Sequence, residues 1–270
     1  MEYEWIGRVQ PFLDEVSVTA GGNVHIGHFG GSSINGAQKN EDALFILQNE
    51  ENSWTFCALL DAHNSSQSAE LIIRLLNDNK DDLISIFNSN NAFLELEPYF
   101  LNKVMDAEFK DKCRNLTGET SCLFCFQRGA YLWWFSIGDC MALLFHPDLA
   151  KFNQYGLNQR QFYEWVGQVN TFDLSVPCYT AGRRQLRQGT NYIVLLTDGV
   201  LDTDDEFYSD YRNLYNAIVQ GEDAEAGLRS IFDHLVKESA RDSATLVCWK
   251  YLNKEQAQSP SDSDKLNDPA

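Results

Sequence analysis

Four short apolar runs in this 270-residue chain each meet an aspartate. Trp54–Leu60 runs into Asp61, Leu132–Ile137 into Gly138-Asp139 and Ile193–Leu196 into Thr197-Asp198, while Asp242 opens the run Ala244–Trp249. Apolar runs of this length between polar and glycine residues read as strands. Strands that begin or end on carboxylates beside one another in a sheet gather negative charge in one place. Like charges a few ångströms apart do not all stay ionised unless cations sit among them. Oxygen donors without a matching set of His or Cys select Mg2+ or Mn2+ over zinc. The pattern predicts a metal site built on strand ends.

The net charge of −18 repels nucleic-acid phosphates, so that class of partner is excluded. No stretch approaches the roughly 18 apolar residues of a membrane helix. Met1–Gln10 lacks the basic start and apolar core of a secretory signal, and a cytoplasmic location is expected. The seven cysteines fit that expectation, because most lie in apolar runs where Cys behaves as a small buried hydrophobe. Cys122-x-x-Cys125 has no second pair to complete a zinc set, and three-residue spacing on a strand points the two to opposite faces. His25-x-x-His28 reads as two ordinary strand residues.

Along the chain, Val24–Phe29, Ala43–Gln48 and Trp54–Leu60 read as strands, and Ser65 or Ser66 as the cap of a helix. A second helix is expected from Pro98 to about Arg114. Ser121–Gln127, Tyr131–Ile137 and Met141–His146 read as an antiparallel meander turning at Arg128-Gly129 and Gly138-Asp139. The stretch 147–189, rich in Gln, Asn and Gly, reads as a flap-like excursion with little regular structure. Helices follow at about 208–220 and 224–239, and Ala244–Tyr251 closes the sheet. Strands and helices in blocks, without a linker between them, predict one α+β domain over residues 1–252. The polar tail 253–270 is expected to be disordered.

The acidic positions fall in short ordered patterns: Asn40-Glu41-Asp42, Asp61-Ala62-His63, Gly138-Asp139, Thr197-Asp198-Gly199-Val200-Leu201-Asp202 and Arg241-Asp242-Ser243. The series, from about Val24 to Tyr251, resembles the metal-dependent protein phosphatases of the 2C (PPM) type, bacterial members in particular. The resemblance implies a four-layer α-β-β-α sandwich of two mainly antiparallel sheets flanked by helices, with two ions, Mn2+ or Mg2+, in the cleft between the sheets. It implies that Asp61 bridges both ions, that the Ala62 carbonyl binds one, and that Asp198 and Asp242 complete the second. Glu41 would hold metal-bound water with Asp42 supporting it, and Asp139 and Asp202 match a pair that holds a third ion in bacterial relatives. His63 matches the general acid, and Thr120 a threonine that contacts metal-bound water. The implied activity is hydrolysis of phosphoserine and phosphothreonine in proteins, with a phosphorylated substrate and a cognate kinase as partners.

The chain also departs from the pattern. Ala37 stands where the family has an arginine that grips phosphate, leaving Lys39, or Arg183, Arg184 and Arg187 of the excursion, as substitutes. Asp-Ala-His-Asn-Ser replaces Asp-Gly-His-Gly-Gly, which suits the metal site only if Ala62 keeps a negative φ. These departures leave a second reading: a catalytically weak or inactive module on the same fold that binds a phosphorylated partner or kinase.

Overall fold

The computed structural model describes residues 1–51, 53–259 and 261. In it two antiparallel sheets stack face to face. The larger runs in the order β1 (Glu2–Ile6), β4 (Ala43–Gln48), β5 (Trp54–His63), β6 (Glu119–Arg128), β7 (Tyr131–Ile137), β10 (Thr180–Gln185), with the two-residue β9 (Val166–Gly167) also pairing with β6. The smaller has the order β2 (Val16–Gly21), β3 (Val24–Phe29), β12 (Ala244–Asn253), β11 (Gly189–Leu196), β8 (Met141–Phe145). Helices α1 (Gln67–Asp78), α2 (Lys80–Asn88), α3 (Ala92–Val104) and α4 (Ala107–Arg114) cover the larger sheet, and α6 (Tyr211–Val219) and α7 (Ala224–Lys237) the smaller. This is the expected four-layer α-β-β-α arrangement.

Alternation along each strand sorts the core into layers. On β5, Trp54, Phe56, Ala58 and Leu60 pack under the helices, while Cys57 and Leu59 face the other sheet. On β12, Ala244, Leu246 and Cys248 meet α6 and α7, while Val247 and Trp249 face inward. A sheet covered on both faces needs apolar residues at successive positions, which is why these strands read as continuous apolar runs. Cys122 and Cys125 fall in different layers, as their spacing predicts. Under the helices, Phe87 lies 4.7 Å from Phe126 and Phe100 lies 4.6 Å from Phe124, ring to ring. Each such pair adds roughly 0.5–1.5 kcal/mol beyond its buried area.

Several expectations need correction. The predicted meander ends at β7, because β8 crosses to the smaller sheet and pairs with β11. Gly138, at φ +90°, makes that crossing, and a Cβ there would lie 2.1 Å from Ser121 Oγ. The helix expected from Pro98 begins at Ala92, holds Pro98 inside it, and breaks at Met105-Asp106. There Asp106 caps α4 by accepting from Glu108 N and Phe109 N. The excursion is less irregular than expected: it opens with α5 (Pro147–Ala150), and its last part is the edge strand β10. The expected tail is ordered at its start, where Asn253 and Ala257 are buried and Gln258 O accepts from Arg187 Nη1. Pro260 and residues 262–270 of that tail lie outside the described residues.

Candidate metal centre

Strand parity carries the acidic residues to one place. Asp61 follows Cys57 and Leu59, so it points between the sheets, and Asp42 shares the parity of Leu44 and Ile46. Ser243 and Thr245 share that of Val247 and Trp249. These residues meet at one end of the inter-sheet layer, beside a cleft of about 610 Å3 lined by Glu41, Asp61, Ala62, His63, Asp202 and Asp242, among others.

Asp42 forms the floor. It is fully buried, and it accepts hydrogen bonds from the hydroxyls of Thr245 at 2.7 Å, Ser243 at 3.0 Å and Thr197 at 3.3 Å. One carboxylate thereby joins β4, β12 and the turn after β11 across both sheets. Burial pushes its pKa up to about 7, with the Asp242 and Asp198 charges adding and the Thr245 and Ser243 hydroxyls opposing.

Above that floor, carboxylate oxygens of Asp61, Asp139 and Asp198 lie within 4.8 Å of one another. Burial holds the Asp61 carboxyl well above the usual carboxylate range, and Asp198, Asp42, Asp242 and Asp139 raise it further. Asp198 rises to about 6, again chiefly by burial and then by Asp139 and Asp242. Asp61 Oδ2 is buried with no hydrogen-bond partner. An acceptor in that position costs stability unless something positive reaches it. Crowded, desolvated, oxygen-only donors of this kind fit Mg2+ or Mn2+.

Asp139 is fixed from the turn that carries it, since Ser121 Oγ donates to its Oδ1 at 2.6 Å. Asp198 opens a single 3-10 turn, Asp198–Val200, that brings Asp202 to the rim. Glu41 pairs with Lys39 Nζ at 2.5 Å, and the same ammonium donates to Asn64 O at 3.0 Å. His63 ends β5 in the cleft wall, edge-on to the Trp165 ring at 6.3 Å. Ala62 sits inside β5 without a positive φ, so the glycine-to-alanine departure is accommodated. Asn64 takes the left-handed turn at φ 71°, a conformation Asn tolerates better than most residues.

Four sequence-based candidates stand elsewhere. Thr120 is fully buried, and its hydroxyl donates to the carbonyls of Asp61 and Ser121, so it braces the β5 strand end instead of reaching water in the cleft. Arg183 and Arg184 lie on β10, the outer edge of the larger sheet, and neither lines the cleft. Arg184 Nη2 donates to Gln154 Oε1 and Arg187 to Gln258 O, which commits both to the excursion and the chain end.

Sequence reasoning missed Arg160. This excursion residue donates from Nη1 and Nη2 to the two carboxylate oxygens of Asp202, at 2.7 and 2.6 Å, and from Nη2 to Asp198 Oδ2 at 3.4 Å. The aromatic residues around it, Tyr155, Phe162, Tyr163 and Trp165, follow no helical or strand period, so no pattern in the sequence marked it. Arg241 also lines the cleft, beside Ala37.

The fold, two antiparallel sheets between helices with an acidic cleft at their rim, is that of the PPM-type bacterial serine/threonine phosphatases. A mutant bacterial serine phosphatase superposes with a TM-score of 0.62 at 16% identity, covering 86% of this chain and 100% of its own. PppA, a regulatory component of the T6SS in Pseudomonas aeruginosa, gives 0.59 at 14%, covering 87% and 100%. The catalytic domain of the serine/threonine protein phosphatase PstP, in complex with two manganese ions, gives 0.55 at 14%, covering 78% and 91%. No protein-family model matches the sequence, and no curated protein matches it. Among the described residues, no helix is long and apolar enough to cross a membrane.

Proposed function

We propose that this chain belongs to the PPM phosphatases and hydrolyses phosphoserine and phosphothreonine in proteins, using Mn2+ or Mg2+. The observation that carries the reading is the buried cluster of Asp61, Asp139 and Asp198, with Asp61 Oδ2 left without a donor at the edge of the inter-sheet cleft. Asp61, the Ala62 carbonyl, Asp198 and Asp242 would hold the ions, with Glu41 and Asp139 beside them. Two such ions, once bound, supply positive charge to phosphoryl oxygens and lower the pKa of water.

The remaining roles fall to the chain's own groups. His63, at the end of the strand that carries Asp61, is placed to give a proton to the departing serine or threonine alkoxide. Lys39 offers an ammonium to the phosphate from the cleft wall, where Glu41 now holds it. Asp42 keeps its neighbours in register through three hydroxyls from the opposing sheet. The exposed rings of Phe162 and Tyr163, next to Trp165, give a peptide an apolar surface beside His63. The natural substrate is then a cytoplasmic phosphoprotein, and its kinase the opposing partner.

Hydrolysis of a phosphothreonine peptide with Mn2+ and with EDTA, alongside Asp61→Asn and Asp242→Asn, tests this. Turnover is expected only with metal, and each variant should lose more than the roughly 100-fold that follows removal of an outer support of a metal ligand. Turnover equal in EDTA, or unchanged in Asp61→Asn, would end the proposal. Metal binding without turnover would favour the non-catalytic module.

A further inference from the structure

Asp202 is already occupied by a cation of the protein's own. Both of its oxygens accept from Arg160, in the paired, parallel geometry in which guanidinium and carboxylate bind most strongly. The second nitrogen also approaches Asp198, which ties the rim aspartate to the buried cluster. The Arg160 side chain is 18% exposed and that of Asp202 47%, so the arginine is largely covered while its partner stands at the rim. The arm that delivers it is fastened to the turn that carries Asp139. Gln161 N donates to the carbonyl of Gly138, the residue before Asp139, and the guanidinium carbon lies 4.9 Å from the centre of the Phe162 ring.

We propose that Arg160 takes the place of a metal ion at Asp202, so that this chain loads two divalent ions and uses the position of a third to fasten the 147–189 excursion beside the cleft. The inference rests on the proposed metal centre. A divalent ion at Asp202 would need its oxygens at about 2.0–2.1 Å in octahedral geometry. The guanidinium occupies the lone pairs that such an ion would use, and it cannot shed its charge to make way. Metal at this position and Arg160 docking therefore exclude each other.

The test is Mn2+ stoichiometry by titration calorimetry on the full chain. Wild type is expected to bind two ions, and Arg160→Ala three. Arg160→Gln, which keeps part of the aliphatic stem and a polar end, should also bind three and covers the case in which the alanine variant folds poorly. The double variant Arg160→Ala with Asp202→Asn should return to two, which places the gained ion at Asp202. Three ions in wild type, or two in wild type and in both single variants, would overturn the role of Arg160 while leaving the metal centre standing. No Mn2+ bound by any of them would overturn the metal centre itself and this inference with it.

Discussion

Asp42 and Asp202 both serve the same cleft, and they are held in opposite ways. Asp42 is fully buried, and its three hydroxyl donors come from paired strands and the turn that joins them to the site. Asp202 has a side chain 47% exposed and is held by one arginine from an irregular stretch. The first arrangement is rigid because its partners sit on or directly beside paired strands. The second is set by one side chain, so it is the part of the site free to change without unfolding the rest. The site thus joins a fixed floor to an adjustable rim.

Breaking the floor should have the largest effect. Asp42→Ala leaves the Thr245, Ser243 and Thr197 hydroxyls buried without their acceptor, at about 1–3 kcal/mol for each unsatisfied group. A loss of at least ~3 kcal/mol in urea unfolding is expected. Arg160→Ala should cost no more than about 1 kcal/mol, because its partner is half exposed and screened by solvent. Equal losses in the two variants would erase the contrast between floor and rim.

Protons give a second, smaller separation. Without metal, Asp42 titrates near 7 and Asp198 near 6, both raised from the ordinary 3.8, chiefly by burial. Between pH 4 and 7 the folded state then binds more protons at these groups than the unfolded chain does. Their contribution to stability is present at the low end of that window and declines as pH rises through it. Buried His28, lowered to about 3, has the opposite sign, since the unfolded chain protonates first as pH falls. A divalent ion favours the ionised carboxylates and releases their protons, while the His28 contribution is common to both forms and drops out of the difference. The rise in melting temperature given by Mn2+ over EDTA should therefore be larger at pH 7.5 than at pH 5.5. The same rise at both values would mean that Asp42 and Asp198 do not titrate with metal.

The contrast between floor and rim also marks what the sequence made legible. β5, β7, β11 and β12 are mostly buried, so their apolar runs and the aspartates beside them stand out, and strand parity then brings Asp42, Asp61 and Thr245 together. The strands β1, β2 and β10 lie at sheet edges and are only partly buried, with sequences such as Glu-Tyr-Glu-Trp-Ile and Thr-Ala-Gly-Arg-Arg-Gln that carry no continuous apolar signal. Arg183 and Arg184, offered as substitutes for the arginine missing at position 37, are edge-strand residues. Thr120 was placed near the site by its position in a motif, but only the backbone shows that its hydroxyl turns to Asp61 O. Arg160 reaches Asp202 across 42 residues of chain from a stretch without period, and long-range pairing of single polar residues leaves no local trace.

The smallest effect tests where the floor ends. Asn64 follows His63 directly and takes φ 71°, so the turn out of β5 depends on a left-handed residue. Glycine adopts that conformation without strain, and Asn64→Gly should stay within about 0.5 kcal/mol of wild type in unfolding. Alanine should cost ~1–2 kcal/mol, the usual penalty for a Cβ in left-handed backbone. The Asn64 carbonyl also accepts from Lys39, so a turn that shifts would move the ammonium that sits beside Glu41. If His63 and Lys39 belong to the fixed floor, Asn64→Gly will leave both KM and kcat for the phosphopeptide within about twofold, as expected of a backbone that the glycine reproduces. A raised KM with unchanged kcat would instead put Lys39, and the phosphate it is proposed to hold, on the adjustable side of the cleft with Arg160.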